Sequence, residues 1–327
     1  MEENKVDILV ATYNSEINYL KKQIDSLINQ TYSNIKIYIS DDASNNINVK
    51  ELLIEYEKKD NRIKLFLQEK NLGLNSNFEF LLKQSTSKYI VFCDQDDIWH
   101  EDKIEKMVEK IQNENVDLLY SDARQIDEND VVLHNSYLKY KKLPIIKGKN
   151  KSILFARHTI LGCTQMITKD VKEKMVNFKS QVIAHDWLSV VIANEGKGIS
   201  YIDEKLIDYR LHTNNVFGGR DLNKNITNWK KSNGSKYNNY LNYRENVINN
   251  AYENGAKMSL EYSQNEENKQ IILKQIQYFE KLKKHKYIYL NISGYFKYLY
   301  AKGLGTRIIK ELVLFNFPIL GFLKFKN

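Results

Sequence analysis

Three aspartates stand close together after a short apolar run in the first third of the chain. Asp94, Asp96 and Asp97 follow residues 88–93 (KYIVFC). Carboxylates crowded at the end of a buried strand repel one another unless a cation lies among them. Mg²⁺ or Mn²⁺ prefers such oxygen ligands and keeps positions open for phosphate oxygens, so the spacing indicates a site for a metal and a diphosphate. The alternative is that the aspartates begin the next helix, because Asp is favoured at the N-cap and in the first turn.

Two more polar clusters follow predicted strands. The sequence TYN at 12–14 comes after residues 6–11, and the pair of aspartates at 41–42 comes after residues 35–40. Helical patterns lie between these runs, and further strands are predicted at 62–68, 88–93 and 116–121. Strands that alternate with helices predict an α/β fold with a mainly parallel sheet flanked by helices. The carboxyl ends of parallel strands share one edge of a sheet, so the three polar clusters are predicted to converge.

The pattern is weaker after residue 127. It predicts a loop at 128–150, a strand at 162–168, an apolar helix at 187–193, and short strands at 199–202 and 206–209. From residue 227 the chain is rich in Asn, Lys and Tyr and helical in pattern. We therefore predict a domain at 1–225 and a helical, basic C-terminal region at 226–327.

The positive charge is concentrated in the C-terminal region. The 327 residues carry a formal charge of +8, yet residues 281–327 alone hold ten Lys or Arg residues and one acid, Glu311. Residues 1–280 hold 39 basic and 40 acidic residues. A nearly neutral body argues against a nucleic-acid-binding protein and indicates an anionic partner for the tail alone. Residues 287–325 interleave aromatic and aliphatic residues with Lys and Arg, so the tail either lies on an anionic membrane surface or packs on the body.

The remaining composition favours a cytoplasmic protein. Cys93 and Cys163 are the only cysteines and have no CxxC or Cys/His cluster, so neither a disulfide framework nor a zinc site is predicted. The N-terminus lacks the basic and apolar regions of a secretory signal. Near the C-terminus the longest uncharged run, 312–323, contains Pro318 and is shorter than the roughly 20 residues that a spanning helix requires.

Four common enzyme motifs are absent from the sequence. It contains no GxGxxG dinucleotide fingerprint, no GxxxxGK[ST] P-loop, no GxSxG nucleophile elbow and no HExxH zinc motif. What remains is a ligand cleft whose polar residues are mostly carboxylates.

The ordered motifs of the chain resemble the family 2 glycosyltransferases of the GT-A fold. The resemblance extends over residues 6–216. Its motifs in chain order are VDILVATYN with SLINQTY, IYISDDAS, NLGLNSNF, YIVFCDQDDIWHEDKI, a strand at Gly162, AHDW and DYRLHTNN. The resemblance implies a GT-A nucleotide-sugar-binding catalytic domain in residues 1–225.

The resemblance implies that the first two polar clusters bind the donor nucleotide. Tyr13 would stack on the pyrimidine ring with the Thr12 backbone beside it, because an aromatic ring suits a flat base; otherwise Tyr13 packs inside the protein. Asp42 would accept a hydrogen bond from the base N3–H, while Asp41 would support the turn. A donor-side turn would be formed by Asn71, Gly73 and Asn77.

The resemblance also assigns the metal and the diphosphate. Asp94 would bind the ribose hydroxyls, and Asp96 would coordinate the Mn²⁺ or Mg²⁺ that bridges the phosphates, whereas Asp97 would lead into the next helix. His212 would reach the metal or the diphosphate, since a neutral imidazole is a competent ligand, or it is an ordinary loop histidine. Arg210 would neutralise the leaving diphosphate, or it forms a surface salt bridge.

Asp186 matches the general base of the family. An inverting transfer needs one carboxylate to take the proton of the acceptor hydroxyl as its oxygen attacks the anomeric carbon. The alternative, which is compatible with catalysis, is that Asp186 is the N-cap of the helix at 187–193. Trp187 would line the acceptor pocket or pack in the core.

The departures from the family pattern narrow the implied reaction. The QxxRW-type motif of processive synthases is missing, which favours addition of a single sugar. The DQDDIW, HDW and YRxHxxN motifs are most similar to bacterial transferases of cell-surface polysaccharides, many of them rhamnosyltransferases, and imply dTDP-rhamnose or a UDP-sugar as donor and a glycan or lipid-linked acceptor. A lipid-linked acceptor would place the enzyme on the inner face of the cytoplasmic membrane through residues 281–327. The alternative function is a non-catalytic nucleotide-sugar-binding or scaffold protein of a polysaccharide assembly complex.

Overall fold

The computed structural model describes residues 4–141, 143–149, 160–177, 184–212, 254–263 and 265–284. These residues fall into two compact units. The first holds the described residues up to Arg210, apart from residues 143–144, and the second holds residues 143–144 and those from Leu211 onward. The predicted boundary near residue 225 lies outside the described residues, as do residues 285–327 of the basic tail.

The first unit begins with alternating strands and helices, as predicted. The elements are β1 Val6–Thr12, α1 Ile17–Ile28, β2 Ile35–Asp41, α2 Ile47–Lys59, β3 Ile63–Leu67, α3 Leu74–Gln84 and β4 Tyr89–Cys93. The four strands are parallel and lie in the order β3-β2-β1-β4. Their carboxyl ends therefore open on one edge of the sheet.

The rest of the first unit extends the same sheet. Its elements are β5 Ile98–Trp99, α4 Lys103–Glu114, β6 Leu118–Ile126, β7 Val132–His134, α5 Tyr137–Lys141, a 3-10 helix Gly162–Thr164, β8 Gln165–Thr168, α6 Lys169–Val176, α7 His185–Glu195 and β9 Ile199–Arg210. The full order is β3-β2-β1-β4-β8-β6-β9-β5, and β7 pairs with β6. β8 is antiparallel to both of its neighbours, and β5 is antiparallel to β9. The mainly parallel α/β sheet is confirmed. In the second unit the described helices are α8 Asn254–Tyr262 and α9 Glu266–Lys284.

The core lies between the sheet and the helices on its faces. Every residue of β1 is buried, as expected for a central parallel strand covered on both sides. Helix α1 packs its Leu20, Ile24 and Leu27 face inward, with all three side chains fully buried. Burial of each such side chain contributes roughly 1.5–3 kcal/mol, which holds the strand ends in fixed positions.

Two sequence predictions of the loosely patterned region are wrong. Residues 128–150 contain β7 and α5 rather than a continuous loop. Residues 199–210 form one strand, β9, instead of two. The charged residues 203–204 are exposed and interrupt the apolar pattern, but β9 continues past them and pairs with β6 again after a shift of register around Asp122. Within the part of the chain that the structure describes, no helix is both long and apolar enough to cross a membrane.

Candidate active site

The three polar clusters meet at the carboxyl edge of the sheet, as predicted. The Thr12 hydroxyl donates to Asp41 Oδ1 at 3.1 Å, and the Asn14 N–H donates to Ser44 Oγ at 2.8 Å. Gln95, in the acidic loop (residues 94–97), accepts the Tyr13 N–H at 2.7 Å. Hydrogen bonds thus connect the ends of β1, β2 and β4.

The aspartates after β2 hold two turns. Asp41 accepts the Ser44 N–H at 2.9 Å and supports the turn after the strand. Asp42 is buried, and its two oxygens accept the Leu72 N–H at 2.6 Å and the Gly73 N–H at 2.9 Å. Gly73 has φ 82°, a left-handed conformation that favours glycine, so the turn before α3 is fixed in place by Asp42.

The donor-side asparagines contact the same region through the backbone of β2. Asn71 Nδ2 donates to the Asp42 carbonyl at 3.3 Å, and Asn77 Nδ2 donates to the Ser40 carbonyl at 3.0 Å. Asn77 is buried, whereas Tyr13 is 44% exposed. The exposed ring of Tyr13 contradicts the alternative that it packs inside the protein. Contact of Tyr13 and the two asparagines with a donor stays a prediction.

The acidic loop does not begin the next helix. β5 intervenes, and α4 starts at Lys103 with Asp102 at its N-cap, so the helix-start alternative is wrong and Asp97 leads into β5. Asp97 is fully buried and accepts the Arg210 N–H at 3.0 Å. The acidic loop is therefore an irregular segment held against the last residue of β9.

The acidic loop crowds its carboxylates as the sequence predicted. One ligand atom each of Asp94, Asp97 and Cys163 lies within 4.8 Å of the others. Burial, followed by the nearby charges of Asp96 and Asp186, raises the pKa of Asp94 to about 7. The ionised form of Asp94 is thus disfavoured unless a positive charge is added.

These residues fit a divalent cation. Within the described ranges, Asp97 Oδ2 is buried without a hydrogen-bond partner, and a hard cation would satisfy it as well as Asp94. Burial raises the pKa of the Cys163 thiol, so the sulfur stays protonated and is a poor ligand for Mg²⁺ or Mn²⁺. Asp96 is not part of this group of three, and its role as a metal ligand stays a prediction.

Lys103 is a buried cation that sequence reasoning missed. Its side chain is fully buried, and its Nζ donates to the Cys163 carbonyl at 2.6 Å and lies 3.4 Å from the centroid of the Trp99 ring. Burial lowers the pKa of Lys103 to about 8, while the nearby acidic groups oppose that shift. Met107 and Ile111 follow Lys103 by four and eight residues. The helical period therefore predicts that Lys103 lies on the same buried face of α4.

Arg210 is also fully buried, so the alternative of a surface salt bridge is wrong. Its Nε donates to the Asp96 carbonyl at 2.8 Å, and its Nη1 donates to the Asp127 carbonyl at 3.0 Å and pairs with Asp130. The guanidinium lies 4.4 Å from the centroid of the Tyr19 ring. Arg210 thus holds the acidic loop to the turn between β6 and β7, and binding of a diphosphate by it stays a prediction.

Asp186 lies in the first turn of α7 beside the acidic loop. The N-cap of α7 is Ala184, so the alternative that Asp186 caps the helix is wrong. Its carbonyl accepts Gln165 Nε2 at 3.1 Å and Ser189 Oγ at 2.8 Å. Trp187 is 6% exposed and packs in the core. A Cβ at Gly162 would lie 3.4 Å from Asp186 Oδ2, so the Asp186 carboxylate lies next to the residue before Cys163, and its charge helps to raise the pKa of Asp94.

Two histidines lie near the predicted site residues in the sequence, and the structure gives ring contacts for His185. The His185 ring stacks on Phe78 with centroids 4.0 Å apart and contacts Phe92 edge-on, which anchors the start of α7. His212 belongs to the second unit, so its predicted contact with the metal or the diphosphate stays a prediction.

Comparison with known proteins shows which family the chain is similar to. The model of the family "Glycosyl transferase family 2" matches residues 7–175. An uncharacterized glycosyltransferase of Methanocaldococcus jannaschii, MJ1057, is 32% identical over 216 residues, which are 64% of this chain and 72% of that protein. The dTDP-rhamnosyl transferase RfbG of Shigella flexneri is 30% identical over 224 residues, 64% of this chain and 73% of that protein.

A solved structure shares the fold. TarS of S. aureus in complex with UDP-GlcNAc superposes with a TM-score of 0.56 at 14% identity, covering 86% of this chain and 89% of that chain. The sheet order, the strand-end site and these matches agree on a GT-A fold. The chain belongs to glycosyl transferase family 2.

Proposed function

We propose that this glycosyltransferase is a metal-dependent inverting enzyme. It moves one sugar from a nucleotide-diphosphate donor, dTDP-rhamnose or a UDP-sugar, to a hydroxyl of a cell-surface glycan or a lipid-linked acceptor. The observation that carries the proposal is the meeting of the acidic loop and Asp186 at residues 162–163. Ligand atoms of Asp94 and Asp97 lie within 4.8 Å of Cys163 Sγ, and a Cβ at Gly162 would lie 3.4 Å from Asp186 Oδ2. Asp186 stands outside the acidic loop and is thus available for a separate role.

The donor nucleotide binds across the ends of β1, β2 and β4. Tyr13 offers an exposed ring for stacking on the base, and the buried Asp42 accepts the base N3–H with lone pairs left over from its two backbone contacts. Asp94 accepts hydrogen bonds from the ribose hydroxyls. The turn at Asn71 and Asn77 bounds the donor side.

The acidic loop would hold the cation. Asp96 would bind Mn²⁺ or Mg²⁺ with Asp94 and Asp97 beside it, and the ion would supply positive charge for the diphosphate. His212 is a further ligand expected from the sequence. The Arg210 side chain binds the carbonyl of Asp96, and the Arg210 backbone N–H binds the carboxylate of Asp97. Residues 96 and 97 of the loop therefore keep their positions while the donor enters, and Arg210 would add a positive charge on the diphosphate side.

Asp186 acts on the acceptor. Its carboxylate takes the proton of the acceptor hydroxyl while the oxygen forms a bond to the anomeric carbon and the nucleoside diphosphate leaves from the opposite face with the bonding electron pair. One displacement inverts the anomeric centre. Gln165 and Ser189 hold the Asp186 carbonyl, so the backbone that carries the base is fixed in position.

The similarity to RfbG supports a dTDP-rhamnose donor, and the fold shared with TarS is compatible with a UDP-sugar. We further propose that the enzyme works in the cytoplasm on the inner face of the membrane, where residues 281–327 bind anionic lipid. Each basic residue near such a surface contributes about 1 kcal/mol. A chain truncated after residue 280 should no longer co-sediment with anionic vesicles, and retained binding would contradict the role of the tail.

The proposed chemistry is tested by asparagine variants assayed with a panel of nucleotide sugars and Mn²⁺. Asp186→Asn should retain donor binding and lose transfer by at least about 100-fold, as expected on removal of a general base. Asp96→Asn should lose the stabilisation by Mn²⁺ in thermal unfolding. Asp170→Asn is a matched control, because Asp170 is an exposed acid in the first turn of α6.

The outcome separates catalysis from binding. Transfer at the wild-type rate by both Asp186→Asn and Asp96→Asn would refute the mechanism. Donor binding by the wild-type protein without hydrolysis or transfer to any acceptor would instead favour the non-catalytic scaffold.

A further inference from the structure

Gln95 connects the acidic loop to the loop that follows β1. Its Oε1 accepts the Tyr13 N–H at 2.7 Å and the Ser15 hydroxyl at 2.6 Å. The two loops leave neighbouring strands side by side, because Val10 of β1 pairs with Cys93 of β4. One carboxamide thus joins residues that lie about 80 positions apart in the chain.

The orientation of the Gln95 carboxamide is fixed by chemistry. A backbone N–H can only donate, so the atom that faces Tyr13 N must be the carbonyl oxygen and not the amino group. Rotating the carboxamide by a half-turn would set its amino group against the Tyr13 N–H and break that contact, although the Ser15 hydroxyl could then accept instead of donate. A carboxylate could replace this acceptor, whereas an apolar side chain could not.

The β1 loop needs outside contacts to keep its shape. Asn14 has φ 46°, a left-handed conformation that costs a residue other than glycine energy. The Asn14 N–H donates to Ser44 Oγ, and Asn14 Oδ1 accepts the Asn45 N–H at 2.9 Å. With Gln95 on the other side, the loop that carries the exposed Tyr13 is held between the ends of β2 and β4.

We propose that Gln95 is a positioning residue that links occupancy of the cation site to occupancy of the base site. The inference rests on the proposed function, in which Tyr13 stacks on the base and the aspartates on both sides of Gln95 hold the cation and the ribose. A cation that orders the acidic loop also orders Gln95, and through it the backbone of Tyr13. A nucleoside that binds afterwards then meets a loop already in place, so its affinity rises without any contact to the cation.

The test uses nucleosides that lack phosphate, so that the base cannot be linked to the cation through a diphosphate. Uridine and thymidine are titrated into the full-length protein by calorimetry, without and with saturating Mg²⁺. The ratio of the two dissociation constants measures the linkage. For the wild-type protein we expect about fivefold tighter binding of one nucleoside with Mg²⁺, the effect of about one hydrogen bond.

Three variants separate the contact from the rest of the residue. Gln95→Met is close in size but has no suitable acceptor, and its ratio should fall to about one. Gln95→Asn is too short to span the loops and should also lose the linkage, which covers the case that Gln95→Met fails to fold. Gln95→Glu keeps the acceptor oxygen, so the ratio of the two nucleoside dissociation constants should stay as in the wild-type protein. A change in the affinity for Mg²⁺ does not affect this ratio, because the two titrations are made without Mg²⁺ and at saturating Mg²⁺.

The inference is overturned by a wild-type ratio of one, by a wild-type ratio in a folded Gln95→Met or Gln95→Asn protein, or by loss of the ratio in Gln95→Glu. In each of these cases sugar transfer by the wild-type protein would leave the proposed function standing. A wild-type protein that binds neither nucleosides nor UDP and transfers no sugar would refute the proposed function itself, and the linkage with it.

Discussion

Gly162 lies against the first turn of α7, the turn that carries Asp186. A Cβ at position 162 would lie 3.1 Å from Asp186 Cβ and 3.1 Å from His185 Nε2. Carbon atoms in ordinary contact are about 3.5–4.0 Å apart, so Gly162→Ala requires the two elements to separate by roughly 0.5 Å. His185 is wedged against Phe78 and Phe92, so we expect the first turn of α7 to move as a unit and to carry Asp186 with it.

This displacement gives an expected size for the loss of activity. A shift of about 1 Å away from the reacting geometry costs on the order of 100-fold in rate, so roughly half that distance should lower kcat about tenfold. The extra methyl group should also lower the free energy of unfolding by about 1–3 kcal/mol. The donor contacts at β1 and β2 are not moved, so KM for the donor should change little.

The opposite end of the same helix supplies a matched control. A Cβ at Gly196, the C-cap of α7, would lie 2.0 Å from Asp117 Oδ2, a closer clash than at Gly162. An 11-residue helix is about 16 Å long, so this clash is far from Asp186. Gly196→Ala should lose stability in urea unfolding and keep kcat in the transfer assay. A wild-type kcat for Gly162→Ala, or an equal loss of kcat in Gly196→Ala, would refute the argument.

Two further changes test the charged groups. The pKa of Asp94 rises from 3.8 to about 7 on folding, so its contribution to stability is present at low pH and is lost as the pH rises through about 7. In metal-free protein, the drop in the free energy of unfolding between pH 5 and pH 8 should therefore be smaller for Asp94→Asn than for wild type; an unchanged drop would contradict this. Arg210→Gln removes the guanidinium that binds Asp130 and two backbone carbonyls, so the free energy of unfolding in urea should fall by about 2–3 kcal/mol. The control is Arg124→Gln, which should lower it by less than about 1 kcal/mol because the Arg124 side chain is 37% exposed. Equal losses in the two variants would count against a buried structural role of Arg210.

The sequence was sufficient for the strand ends because their signal is local. Each apolar run of the first half ends in a polar cluster, and parallel strands bring such clusters to one edge whatever the details of packing. The convergence of Thr12, Asp41 and the acidic loop follows from this rule alone.

The parts that were missed depend on contacts between distant residues. β8 enters the sheet antiparallel between β4 and β6, and this insertion brings Cys163 to the aspartates of the acidic loop. The periodicity of apolar residues in a sequence does not indicate where an antiparallel strand will be inserted into a sheet. The acids were also open to a helix-start interpretation, because Asp before an apolar helical run fits an N-cap as well as a metal site. The two-residue strand β5 lies between the aspartates and α4, and its presence is what rules out the helix start.

Contacts with β9 hold the second half of the acidic loop, residues 96 and 97, without the cation. Arg210 binds the carbonyl of Asp96 and the carboxylate of Asp97, and Lys103 holds the carbonyl of the neighbouring Cys163. Both cations are fully buried and belong to regular elements of the sheet and its helices. They fix the backbone near residues 96 and 97, whereas the carboxylates of Asp94 and Asp97 stay close together, in line with the raised pKa of Asp94. Residues 96 and 97 are therefore preorganised for a metal ion, which would have only the first half of the loop, Asp94 and Gln95, left to order.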